Sequence, residues 1–244
     1  MIEVRNLTKR FGDILAVNDV SFKIESSSVV GFLGPNGAGK STTIRLMSGV
    51  LRPDFGTASI CGYDIISDGL CAQSCFGYLP EAAAGFGNLT VREFLTYCGE
   101  CRAMWGEPLT LAIEKTTELI ELRPALDQEI RKLSKGWRQR AWLAQAILHD
   151  PPVLILDEPT DGLDPNQKDK INDLIRQKKI DKTIILSTHI LEDVEDVCDR
   201  VLMITSGGIV ADDTPENLIH EYGTLSKAFK ILTTKQLVAQ GNKT

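Results

Sequence analysis

Gly34-Pro35-Asn36-Gly37-Ala38-Gly39-Lys40-Ser41-Thr42 is the stretch whose reading decides the fold. It fits the pattern GxxxxGK[ST], in which a Gly-rich backbone turns its N–H groups inward around a polyphosphate. Residues without a Cβ permit the positive φ and the close approach this needs. In such a loop Lys40 reaches the β- and γ-phosphates and the Ser41 hydroxyl binds Mg²⁺. The flanks agree. Val29-Val30-Gly31-Phe32-Leu33 reads as a buried strand, and residues 42–50 read as a helix. Strand, loop and helix in that order put the phosphates at a helix N-terminus, where unpaired N–H groups and the dipole favour anions.

The composition sets the outer limits. The chain has 244 residues, 43% hydrophobic and 25% charged, which suits one large domain with or without a subdomain. A net charge of −6 and no long basic run argue against a nucleic-acid partner. No apolar stretch reaches the ~18–20 residues that span a bilayer, and Met1-Ile2-Glu3-Val4-Arg5 lacks the apolar core of a signal peptide. The expectation is a soluble, intracellular chain without direct membrane insertion. Six cysteines are present. Cys71 and Cys75, and Cys98 and Cys101, invite a zinc reading, but Cys98 and Cys101 fall in a helical pattern after Thr90-Val91-Arg92-Glu93, a capping box. They are read as small core residues.

Along the chain, Ile2–Arg5 and Val20–Ile24 alternate as strands, Ser26–Ser28 turns, and Thr57–Cys61 and Phe76–Leu79 read as short strands. Helical patterns run from Thr90 to Leu148, with breaks near Gly106-Glu107-Pro108 and Arg123-Pro124. Trp137, Ala141, Ala144 and Leu148 line one helix face. Val153-Leu154-Ile155-Leu156 is a continuous apolar run, a strand buried on both faces. Helix, strand, helix and strand follow at about 165–178, 183–186, 190–198 and 201–204, and Thr214-Pro215 opens a last helix. No motif is legible after about 224. The predicted class is α/β: a mostly parallel sheet, an N-terminal antiparallel β part and a helical subdomain at about 82–148. The domain is expected over 1–224, with a C-terminal tail over 225–244.

Asp157 and Glu158 sit at the C-terminal end of the apolar strand, where open α/β sheets bind ligands. Asp157 would hold Mg²⁺, directly or through water, and Glu158 would act as general base or orient water. Leu133-Ser134-Lys135-Gly136-Trp137 opens the apolar-faced helix. Ser134 is read either as an ordinary N-cap or, with Gly136, as a second anion site.

Together these residues resemble the ATP-binding-cassette ATPases over about residues 1–220. The loop Gly34–Thr42 resembles the family's Walker A, and Leu154–Glu158 its Walker B. Leu133–Trp137 resembles the signature LSGGQ, with Lys135 and Trp137 replacing Gly and Gln while Ser134 and Gly136 are kept. Asp161–Asp164 resembles the D-loop. His189 falls at the switch histidine, and Phe11 at the aromatic that stacks on adenine. Glu81 stands where the family has its Q-loop glutamine, which adds negative charge beside Mg²⁺.

Short strings around Glu81, Ser134 and Asp164 are similar to ATPase subunits of ABC-2-type exporters. The resemblance implies ATP and Mg²⁺, hydrolysis, and a head-to-tail homodimer or heterodimer. Each ATP would lie between Gly34–Thr42 of one chain and Ser134–Gly136 of the other. It also implies a separately encoded membrane permease, export, and a place on the cytoplasmic face of the cell membrane. A non-transport ATPase of the same superfamily, regulating a soluble complex, is the competing reading.

Overall fold

Alternating residues near the N-terminus and continuous apolar runs further on build two different sheets. The structure, a computed structural model, describes residues 1–82 and 84–241, with side chains described outside 235–241. β1 (Ile2–Phe11) and β2 (Ile14–Ile24) mix buried and exposed positions and pair antiparallel. β3 (Val29–Leu33), buried throughout, leads through the Gly-rich loop into α1 (Lys40–Met47). β4 (Phe55–Ile60) and β5 (Tyr63–Asp64) complete an antiparallel sheet of order β2-β1-β4-β5.

The second sheet needs crossovers. After α2 (Gly69–Ser74) come β6 (Phe76–Leu79), α3 (Val91–Cys101), α4 (Gly106–Leu119) and α5 (Lys135–Ile147). β7 (Val153–Asp157), α6 (Pro165–Lys178), β8 (Thr183–Thr188) and α7 (Leu191–Val197) follow. β9 (Arg200–Thr205), β10 (Gly208–Asp213), α8 (Pro215–Tyr222) and α9 (Leu225–Gly241) close the chain. The order is β10-β9-β3-β8-β7-β6, parallel except for the β9–β10 hairpin.

This sheet is the middle layer. Successive side chains of a strand point to opposite faces. Leu154 and Leu156 therefore enter a core shared with the helices, while Val153 and Ile155 enter a core shared with α1 and the antiparallel sheet. Burial on both faces is why β7 reads as an unbroken apolar run. The predicted α/β class, with its antiparallel N-terminal part and mostly parallel sheet, is the observed one.

The helical segment is set by local signals. Thr90 caps α3: its hydroxyl accepts from the Glu93 N–H at 3.2 Å, and the Thr90 N–H donates to the Glu93 carboxylate at 2.8 Å. Gly106 begins α4, and Arg123–Ala125 is a single 3₁₀ turn. Three expectations shift. The helix after the Gly-rich loop begins at Lys40 and ends before Gly49, whose φ is 72°. Cys101 is exposed, not core, while Cys98 does pack against the helical core. Burial holds the Cys98 thiol up to about 12, so it stays protonated. The stretch read as a tail is helical from Leu225, and Leu225 and Ala228 are fully buried; residues 242–244 lie outside the described residues.

Candidate functional site

β3 and α1 place the Gly-rich loop at the C-terminal edge of the parallel sheet. Gly37 and Gly39 have φ of 78° and 105°, a region costly for residues with a Cβ. A Cβ at Gly39 would stand 2.5 Å from the Ala16 carbonyl oxygen, so only glycine fits there. The loop lines a cavity of about 610 Å³ with Phe11, Pro35, Asn36, Gly37, Ala38, Gly39, Lys40, Ser41, Thr42, Glu81 and Glu158. Gly34 sits just behind it and accepts a 2.6 Å hydrogen bond from Lys40 Nζ. Phe11, at the end of β1, is 49% exposed and presents its ring to this cavity.

The charged groups are buried together. Lys40 Nζ lies 4.0 Å from Glu158 Oε1 and also donates to the Pro35 carbonyl at 3.3 Å. Burial lowers the Lys40 pKa, and Glu158, Asp157 and Glu81 oppose that. Burial likewise raises Glu158, against the pull of His189 and Lys40. His189 follows β8, and its Nδ1 meets Glu158 Oε2 at 2.9 Å. Glu158 itself has φ 51°, rare for a residue with a side chain. Its N–H donates to the Ser187 carbonyl and hydroxyl oxygens, each at 3.1 Å.

Asp157 is fully buried at the end of β7, and burial raises its pKa. Its Oδ1 accepts from the Ser187 hydroxyl and from Ser41 Oγ at 3.2 Å. Its Oδ2 has no partner. Ser41 Oγ also stands 3.2 Å from Glu81 Oε2, and its single proton is shared between the two carboxylates. A hydroxyl and two carboxylates, one of them with an orphaned buried oxygen, form a hard oxygen set that fits Mg²⁺. No group of three or more His, Cys, Asp or Glu side chains is placed to hold a metal by itself among the described residues.

Ser134 and Gly136 are not brought to this cavity. Ser134 is exposed and caps α5, accepting from the Trp137 N–H at 3.4 Å. Gly136 packs against α6: a Cβ there would stand 2.3 Å from Gln167 Oε1. Lys135 pairs with Asp161 at 2.8 Å. Sequence reasoning missed Ser187 and Gln139. The only signal for Ser187 is that it is the polar residue after the run Ile184-Ile185-Leu186, and for Gln139 that it is an amide among the apolar residues on the buried face of α5.

Comparison with known proteins identifies the family. The family model described as ABC transporter matches residues 17–161. The chain is 38% identical over 219 residues to the Nod factor export ATP-binding protein I of Burkholderia lata, covering 89% of this chain and 72% of that protein. It is 34% identical over 224 residues to the ABC transporter ATP-binding protein NatA of Bacillus subtilis, covering 89% of this chain and 91% of that protein. A solved structure of an ATP binding subunit of an ABC transporter shares 28% identity at a TM-score of 0.87, covering 96% of this chain and 99% of that one. The chain belongs to the ABC transporter family and is an ATPase of its ATP-binding type.

Proposed function

We propose that this chain hydrolyses ATP with Mg²⁺ inside a head-to-tail dimer and so drives a separately encoded membrane permease, in the direction of export. The observation that carries the reading is the division of labour in the fold. Pro35–Thr42 and Glu158 line one cavity and Asp157 is bonded to Ser41 behind it, while Ser134 and Gly136 lie outside it. A γ-phosphate in that cavity lacks the donors at the start of α5, and a second chain is what would supply them.

The loop N–H groups and Lys40 bind and orient the phosphates. Ser41, Asp157 and Glu81 would hold Mg²⁺, which would supply positive charge to offset that of the phosphates. Glu158 orients the attacking water and takes its proton, and His189 fixes the carboxylate from the far side. Phe11 offers its exposed ring to the adenine. Its neighbour Lys9 lies 5.8 Å from that ring and adds a cation on the same edge.

Export is supported by relatives named for Nod factor export and as a probable multidrug transporter ATP-binding protein. No helix among the described residues is long and apolar enough to cross a membrane.

Glu158→Gln tests the assignment. Turnover is expected to fall by roughly two orders of magnitude or more, the usual range for loss of a general base, while ATP still binds and an ATP-loaded dimer accumulates. Steady-state phosphate release and size-exclusion chromatography with ATP read both. Wild-type turnover in this variant removes Glu158 from the role.

A further inference from the structure

Gln139 is a buried amide with no local reason to be there. It lies on α5, 4% exposed, on the stripe that otherwise holds Gly136, Leu143 and Ala146. A glutamine in an apolar interior must find partners for its amide. Here Nε2 donates to the carbonyl of Glu158 at 3.4 Å and to that of Pro159 at 3.3 Å. These are the two peptide groups at which the chain leaves β7.

Those peptides need holding. Glu158 adopts φ 51°, and such a conformation persists only when its surroundings enforce it. Its N–H is held by Ser187 of β8, from one side. Its carbonyl accepts from the Asp161 N–H at 3.2 Å, inside the following turn. Pro159 has no N–H to contribute. Gln139 grips the carbonyls of this turn from α5. Two further contacts run alongside it, Lys135 to Asp161 and Gly136 against Gln167.

We propose that Gln139 is a positioning residue for hydrolysis. Its amide fixes the backbone of Glu158, and with it the direction of the carboxylate toward the cavity. It does so from the helix that begins at Ser134 and Gly136. A shift of that helix on engaging a second chain is thereby passed to the carboxylate that acts on the first chain's nucleotide. Gln139 does not line the cavity; it works through Glu158, and the inference rests on the role given to Glu158 above.

The test uses the full chain with Gln139→Met, which keeps length and packing but removes the donor. Gln139→Asn, whose amide is one methylene short of the carbonyls, carries the same expectation and serves if the methionine variant does not fold. The expected result is a fall in kcat of about tenfold or more, as for small misplacements of a reacting group. The dissociation constant of a fluorescent ATP analogue should stay within about twofold, because uniform binding is untouched. Glu158→Gln is measured in parallel, and in the double variant Gln139→Met adds no further loss, as residues acting as one unit require. Wild-type kcat in both Gln139 variants beside an inactive Glu158→Gln overturns the inference alone. Parallel loss of nucleotide binding and kcat also overturns it, since that marks general support of the fold. Turnover of Glu158→Gln at the wild-type rate instead overturns the reading of Glu158 beneath it.

Discussion

Burial and bonding pull in opposite directions on the Glu158 carboxylate. Burial raises its pKa, the His189 ring and Lys40 lower it, and the net direction is upward. The sign of the pH effect follows. A base works only when unprotonated, and a raised pKa keeps the proton on to a higher pH than for an ordinary glutamate. Turnover should therefore fall as pH drops through a value above the usual carboxylate range. His189→Ala removes the partner that lowers this pKa, so the acid limb of its residual kcat should move to higher pH. A profile of kcat from about pH 5 to 8 reads both. A limb within the ordinary carboxylate range, or one unmoved in His189→Ala, contradicts this electrostatic picture. At this scale the sequence showed the residues whose chemistry is encoded by close spacing. The Gly-rich loop is legible because its glycines, Lys40 and Ser41 are fixed by one short backbone turn. Ser187 and Gln139 were not, because each earns its place through a contact with residues far along the chain.

Between elements, the packing of α5 on β6 decides where Glu81 and the start of α5 stand relative to the cavity. Gly77 makes that packing possible: a Cβ there would lie 1.7 Å from the Ala146 carbonyl oxygen. Neither backbone can yield without moving α5 or β6, the edge strand of the parallel sheet. Gly77→Ala is expected to lower stability by about 3 kcal/mol or more, at the upper end for overpacking a well-filled core. Urea unfolding measures it, and a midpoint equal to wild type would show that α5 and β6 can slide apart freely. Most elements were readable from period and punctuation. β7 is an apolar run because it faces two cores, and α3 announces itself through Thr90 and Glu93. α9 was not, although Thr224 caps it, accepting from the Lys227 N–H at 3.1 Å. Its first turns owe their burial to contact with the core rather than to a sustained apolar face, and such helices are specified by tertiary packing.

On the scale of the whole molecule, the fold separates the phosphate cradle from Ser134 and Gly136, two groups that the proposed dimer brings together. One chain carries a complete phosphate cradle and, on a different surface, the capped start of α5. In the proposed dimer the working site is assembled from the cradle of one subunit and Ser134 with Gly136 of another. Mixing two defective chains tests this most directly. Lys40→Ala disables the cradle, and Ser134→Ala disables the contributed donor at a cost of about 1 kcal/mol of helix capping. Each variant alone should turn over ATP at a small fraction of the wild-type rate. In a mixed dimer one cavity receives both defects and the other receives none. Phosphate release from an equimolar mixture should therefore rise well above the sum of the two variants measured separately. A mixture that gives only that sum, with mixed dimers present by mass, contradicts a site shared between chains.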